Sequence, residues 1–211
     1  MTLPLPTPRS GFAIEVPDVL IDRLRRGDRE AFEVIYRRFE RPVFTLALRM
    51  CGERELAGDV LQETMLRVFD RAHAFRGSGR DGGPSPFWGW LREIAVNEAL
   101  MALRRQRRDG ETLDVADGPE PCDEVTPPPP AAADAALLQR ALQALPAATR
   151  AVLWLYHAEG HTHEEIAALM ARTPSFSKSQ LARGTRRLRA LLDADVAPAA
   201  SASVFAEVAH G

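Results

Sequence analysis

Near the C-terminus, Lys178, Arg183, Arg186, Arg187 and Arg189 are grouped within twelve residues. They cannot join the apolar side of their own helix, which Leu181, Leu188 and Leu191 or Leu192 must form. Cations grouped in this way neutralise phosphates, and a helix that carries them fits the major groove, where base edges are read. The side chains of its first turns, Ser175, Phe176, Lys178, Ser179 and Arg183, are the best placed to read, with Arg186 and Arg187 behind them. A second cationic helix end, Arg104, Arg105, Arg107 and Arg108, lies far upstream. Its natural partners are phosphates, which supply affinity rather than sequence choice. Nucleophile–base pairs, phosphate loops and paired carboxylates do not stand out, so no catalytic residue, cofactor or enzymatic activity is expected. His157, His161 and His163 suggest a metal site only at first sight. They sit at a helix junction beside no Cys, and Glu164 is accounted for by a helix start, so no metal is expected.

The elements that must position these residues are legible from caps and periodicity. Thr162-x-x-Glu165 is a capping box that opens a short helix whose buried face is Ile166, Ala167, Leu169 and Met170. Thr173 and Pro174 are a second cap, with Pro at the first helical position. Two capped helices in succession, with cations on the second, make a helix-turn-helix. Helices are expected over roughly 135–144, 146–158, 162–171 and 174–192. Upstream, Leu20, Leu24, Ala31, Phe32, Ile35, Tyr36 and Phe39 recur at three- and four-residue steps. Pro42 then fits a new first turn before Val43, Leu46, Ala47 and Met50, and Gly52 ends that helix. A third helix is expected from about Glu53 to Ala74, with Gly58 inside it at a cost of roughly 1 kcal/mol. The glycine-rich residues 76–86 form a loop, and a fourth helix runs from about Phe87 to Arg108. No strand-like alternation of useful length appears. The chain reads as all-α.

Charge divides the chain. The 211 residues carry a formal net charge of −2, which hides the segregation. Residues 19–108 hold 18 Arg and 13 acids, residues 109–134 hold 8 acids and no cation, and residues 135–193 hold 8 cations and 4 acids. Two basic blocks flank an acidic, Pro-rich one. The expected organisation is a disordered tail over 1–17, a helical domain over 18–108, and a flexible linker over 109–134. A helix-turn-helix domain follows over 135–193, then a C-terminal tail over 194–211. As a coil the linker would span about 28 Å root-mean-square. Cys51 and Cys122 make no disulfide framework, and no basic-then-apolar leader or long apolar run is present. A cytoplasmic protein without membrane insertion is expected.

Asp59-Val60-Leu61-Gln62-Glu63-Thr64-Met65-Leu66-Arg67-Val68-Phe69 and Trp90-Leu91-Arg92-Glu93-Ile94-Ala95-Val96-Asn97, with Leu103-Arg104-Arg105 beyond, carry a resemblance. Leu145-Pro146, Glu164-Glu165-Ile166-Ala167 and Lys178-Ser179 with Leu181 and Arg183 extend it. In this order and spacing they resemble bacterial RNA polymerase sigma factors of the extracytoplasmic-function group. The resemblance implies two helical domains, sigma region 2 and sigma region 4. It implies that Asp59, Gln62, Glu63 and Arg67 dock on core RNA polymerase, and that the loop and helix around Phe87, Trp88 and Asn97 take the minus-ten element as single strand. Trp90 matches a family aromatic expected in the core. It further implies promoter DNA and core polymerase as partners, and often an anti-sigma protein.

The chain also departs from the family pattern. Gly58 replaces a common Glu, Met101 a common Asp, and Gln180 a common Arg, while Gly184 interrupts the recognition helix. Two other classes compete with a sigma factor: a stand-alone helix-turn-helix regulator that never joins polymerase, and a sigma-like interaction module that does not open promoters.

Overall fold

The computed structural model describes residues 14–77, 86–109 and 130–206, with side chains at 14–77, 86–108 and 135–193. The readings of residues 1–13, the glycine-rich segment 78–85, residues 110–129 of the acidic segment and the end of the chain from 207 lie outside these residues. The described residues form helices throughout and no strand: α1 Asp18–Arg25, α2 Arg29–Cys51, α3 Arg54–Arg71, α4 Pro86–Asp109, α5 Pro130–Gln143, α6 Ala147–His157, α7 His163–Met170 and α8 Pro174–Ala206, with a 3-10 turn over Ala72–Ala74 after α3. The all-α reading stands.

The first break falls at Gly27 and Asp28, not at Pro42. Gly27 takes a positive φ of 76°. Asp28 then caps α2, its carboxylate accepting from the amides of Glu30 at 2.9 Å and Ala31 at 3.2 Å. Pro42 lies inside a continuous α2. An interior Pro costs about 3 kcal/mol. Burial of Phe39, Val43, Leu46, Ala47 and Met50 on one side of the helix offsets it, at roughly 1.5–3 kcal/mol for each large apolar side chain. At the other end, Gly52 caps the helix in the left-handed region with φ 85°.

The second half starts earlier and ends later than its periodicity indicates: α5 begins at Pro130, and α8 continues to Ala206 through part of the stretch expected as a tail. The capping box is present. Thr162 Oγ1 accepts from the Glu165 amide, and the Glu165 carboxylate accepts from the Thr162 amide at 2.8 Å. Thr173 Oγ1 likewise accepts from the Phe176 amide at 3.2 Å.

Gly184 is not a defect in α8. It is buried, and a Cβ there would stand 2.6 Å from Thr149 Cγ2 and 2.9 Å from Leu153 Cδ1. The missing side chain lets α8 lie close on α6. Gln180 belongs to the same seam, accepting from Thr149 Oγ1 at 2.7 Å.

Two apolar clusters hold the molecule. The larger joins the buried faces of α1 to α4 and also takes in Ala151, Val152, Leu155 and Ile166 of α6 and α7. The smaller, Leu142, Leu145 and Leu153 with Leu138, Leu181, Leu188 and Leu191, ties α5, α6 and α8 together. The two helical halves therefore pack against each other.

Candidate nucleic-acid interface

The apolar and polar sides of α8 separate as its periodicity requires. Ser177 and Gly184 are buried against α6 and α7, and Leu181 and Leu188 are half-buried. On the opposite side Ser175, Lys178, Ser179, Ala182, Arg183 and Arg186 are exposed. Their three- and four-residue steps set them along one face, with Arg187 beside it. Phe176 sits at the edge, half-buried, with the Arg172 guanidinium 5.6 Å above its ring. Ser177 holds the first turn of α8 to the start of α7 through His163 Nδ1 at 3.0 Å. The ring of Tyr156 stacks on that of His163 at 5.0 Å. The histidines at this junction are therefore packing and hydrogen-bonding groups.

On α4 the exposed stripe is Gly89, Glu93, Asn97, Met101, Arg104, Arg105 and Arg108, again at helical spacing, with Arg107 exposed alongside. Asn97 Nδ2 donates to the Glu93 carbonyl at 2.9 Å, and Arg104 Nε to the Leu100 carbonyl at 3.1 Å. Met101 is 36% exposed, so the position where the family pattern commonly has Asp lies on this stripe.

Phe87 and Trp88 are corrections. As site residues both are candidates to capture an unstacked base, with burial in the core as the competing reading, and both are in the core, at 0% and 9% exposure. Phe87 packs on Phe39 at 5.7 Å and edge-on to Phe75 at 5.3 Å, and Trp88 stacks on Phe39 at 5.5 Å. With Leu91 and Ala95 they form the face of α4 that meets α2, whereas Trp90, expected in the core, is only half-buried. The frame of the helix explains the exchange: once α4 starts at Pro86, positions 87, 88, 91 and 95 share one side.

On α3, Asp59 and Gln62 are exposed, and Glu63 and Arg67 are half-buried. Arg67 Nε bonds the Glu63 carboxylate at 3.2 Å and the Glu98 carboxylate of α4 at 2.8 Å. It braces α3 against α4 and presents only part of its guanidinium outward. Burial holds the Glu98 carboxyl above the usual carboxylate range, against the pull of Arg67. Sequence reasoning missed Leu66, which is 58% exposed on the same ridge as Asp59, Gln62 and Asp70. The signal was available: Leu66 falls outside the apolar stripe of its own helix.

A helical molecule with a helix-turn-helix at one end and a second cationic helix end on the other half defines a DNA-binding protein of two parts. Sigma-70 region 2 matches residues 35–109, and Sigma-70, region 4 matches residues 135–188. RNA polymerase sigma factor CarQ of Myxococcus xanthus is 34% identical over 175 residues, covering 82% of this chain and 95% of that protein. The ECF RNA polymerase sigma-E factor of Escherichia coli strain K12 is 31% identical over 162 residues, covering 72% and 81%. The solved sigma factor RpoE of Bartonella quintana, in complex with the anti-sigma factor NepR, is 22% identical with a TM-score of 0.45, covering 84% of this chain and 94% of that one. The chain belongs to the sigma-70 family of RNA polymerase sigma factors, in the extracytoplasmic-function group.

Proposed function

We propose that this chain works in the cytoplasm as a sigma factor: it binds core RNA polymerase, opens the minus-ten region with its first half and grips the minus-thirty-five element with its second. The observation that carries this is the pair of exposed polar stripes, one on α4 and one on α8, within the two segments that match region 2 and region 4. In this reading residues 18–108 and 135–193 are the working units. The ridge of Asp59, Gln62 and Leu66, with Glu63 beside it, docks on polymerase. Asn97 and Met101 lie where an unpaired strand would pass, and Arg104, Arg105, Arg107 and Arg108 hold its phosphates. Ser175, Lys178, Ser179, Arg183 and Arg186 face the duplex, with Phe176 and Arg187 at its margin.

The test is co-purification with bacterial core polymerase, followed by permanganate footprinting on the chain's own upstream promoter. Association with reactive thymines in the minus-ten region is expected, and Leu66→Asp is expected to lose association while keeping its helical content. Tight duplex binding by the free chain, with no core association, would instead establish a stand-alone helix-turn-helix regulator.

A further inference from the structure

The helices α3 and α4 pack on each other, and each interrupts its buried side with a polar residue. The buried residues of α3 include Ala57, Val60, Thr64 and Val68, and those of α4 include Leu91, Ala95, Glu98 and Ala102. Both sets follow at three- and four-residue steps, so Thr64 and Glu98 stand where the helical pattern calls for apolar side chains. Glu98 is 2% exposed. Its Oε1 takes Arg67 Nε of α3 at 2.8 Å, while Oε2 is buried with no hydrogen-bond partner among the described residues. Thr64 Oγ1 is buried in the same condition. The same Arg67 Nε bonds the Glu63 carboxylate at 3.2 Å, four residues back on its own helix. That bond fixes the Arg67 side chain to α3 before it crosses to α4.

A carboxylate so placed is poorly compensated. Burial pushes the Glu98 carboxyl up and Glu63 adds to the rise, while Arg67 leads the opposing pull with Arg105 and Arg71 behind it. Replacing a buried ion pair by apolar side chains of similar volume is often neutral or stabilising, so stability does not account for this one. What the pair supplies is direction. Small aliphatic side chains such as Val60, Val68 and Ala102 pack well at more than one sliding position. An Arg held by Glu63 and aimed at Glu98 meets it at a single one. Gln106 Nε2 donates to the Glu53 carboxylate at 2.6 Å farther along the same two helices, but that contact is exposed and water competes for it.

The buried tie lies between the two surfaces described above. Arg67 adjoins Leu66 of the α3 ridge, and Glu98 adjoins Asn97 of the α4 stripe, with Met101 and Arg105 one and two turns on. A slip of one residue would carry the stripe about 1.5 Å past the ridge. We propose that Glu98 is a positioning residue: through Arg67 it fixes the register of α4 on α3, and so the placing of the strand-facing stripe relative to the docking ridge. The roles of ridge and stripe rest on the sigma-factor reading; the register does not.

The test begins with pulsed electron resonance between spin labels on cysteines introduced at exposed Glu55 on α3 and exposed Gly89 on α4 of the full chain, with Cys122→Ser. An added Cβ at Gly89 meets nothing within 4 Å. Cys51 is buried, its thiol pushed up to about 12, and takes no label. The pairings of residue 53 with 106 and of 67 with 98 make the two helices antiparallel. The labels therefore stand roughly 25 Å apart near opposite ends, and a slip changes their distance directly. The wild type is expected to give one narrow distance. Glu98→Leu should broaden it, or shift it by about 1.5 Å, with Tm at pH 7 no lower than wild type, because Arg67 keeps Glu63 and is not stranded. Glu98→Gln, which keeps the shape, should do the same to a smaller extent. In the unlabelled chain, Glu98→Leu should bind core polymerase as the wild type does, yet lose about tenfold in permanganate reactivity of the minus-ten thymines. Misplacement by about 1 Å can cost up to about 100-fold. A wild-type distance distribution in Glu98→Leu would overturn the register. A role in stability alone would lower Tm and reactivity together, and that result would overturn the proposal too. Wild-type reactivity in a variant whose distance has changed would overturn the link to the strand. Failure of the wild type to co-purify with polymerase would count against the sigma-factor reading instead, and the free-chain distances would still decide the register.

Discussion

Phe87 shows at the scale of one residue how a functional reading and a structural one separate. Next to a glycine-rich stretch it suits either a flipped base or the core, and its ring is enclosed by Phe39, Phe75 and Trp90. Phe87→Ala is therefore expected to destabilise the chain by about 3–5 kcal/mol, the cost of emptying a buried aromatic site, measured by denaturant unfolding. An unchanged midpoint would return Phe87 to the surface. The glycines give an opposed pair. Gly58 has nothing within 4 Å of an added Cβ, so Gly58→Ala should stabilise α3 by roughly 0.5–1 kcal/mol. Gly184→Ala should destabilise by about 1–3 kcal/mol through overpacking against Thr149 and Leu153. Glu98 carries a pH signature. A carboxyl whose folded pKa is raised stabilises the fold fully only below its unfolded value of about 4.3, and that contribution is lost as pH rises through the folded value. Glu98→Gln should thus raise Tm at pH 7, and the gain should shrink as pH falls toward 4. A gain independent of pH would remove burial as its cause.

At the scale of elements, α4 and α8 are amphipathic in a specific sense: each sets an apolar side against the bundle and leaves a polar stripe of Asn, Ser, Lys and Arg outward. Caps set where the second stripe begins, since Thr173 holds the first turn of α8 and the Thr162–Glu165 box holds α7 beneath it. Hydrogen bonds from Thr162 hold the Glu165 carboxyl below its usual range, so the box stays charged to lower pH than a free glutamate would. The cations ending α4 make a measurable prediction. Replacing Arg107 and Arg108 by Ala should flatten the slope of log affinity against log salt by about 0.7 for each single-strand phosphate that is no longer neutralised. It should do so equally for different sequences. A change of sequence preference at constant slope would make these side chains readers rather than phosphate holders. The Leu66 ridge on α3 is the complementary case: an apolar side chain stands outside its own stripe at 58% exposure, on the ridge proposed above to dock on polymerase.

Across the whole molecule, the larger core cluster joins α1 to α4 with α6 and α7, so the two halves are expected to unfold as one unit. Arg92 of α4 also pairs with Glu159 of the second half. Calorimetry of the free chain should show a single transition, and Arg92→Glu should split it into two. Two transitions in the wild-type chain would mean that the halves are thermodynamically separate already. The all-α class, the helix-turn-helix, its caps and the family resemblance were all legible in the residues. They depend on local periodicity and on short-range hydrogen bonds, which neighbouring residues determine. Which face of each helix turns inward was less legible where two apolar faces compete, as at Phe87, Trp88 and Trp90, because the choice depends on what α2 and α3 place opposite. The continuity of α2 through Pro42 was hidden for the same reason: the burial that offsets the proline is contributed by other elements. The buried Arg150 of α6 donates from Nε to Met50 O at 3.0 Å. Its meeting with the end of α2, 100 residues away along the chain, has no local signature. Sequence alone determined the parts and their order. Only tertiary packing decided which cation became a buried tie between the halves and which stayed exposed, since desolvation and the carbonyls that compensate it exist only once the chain is assembled.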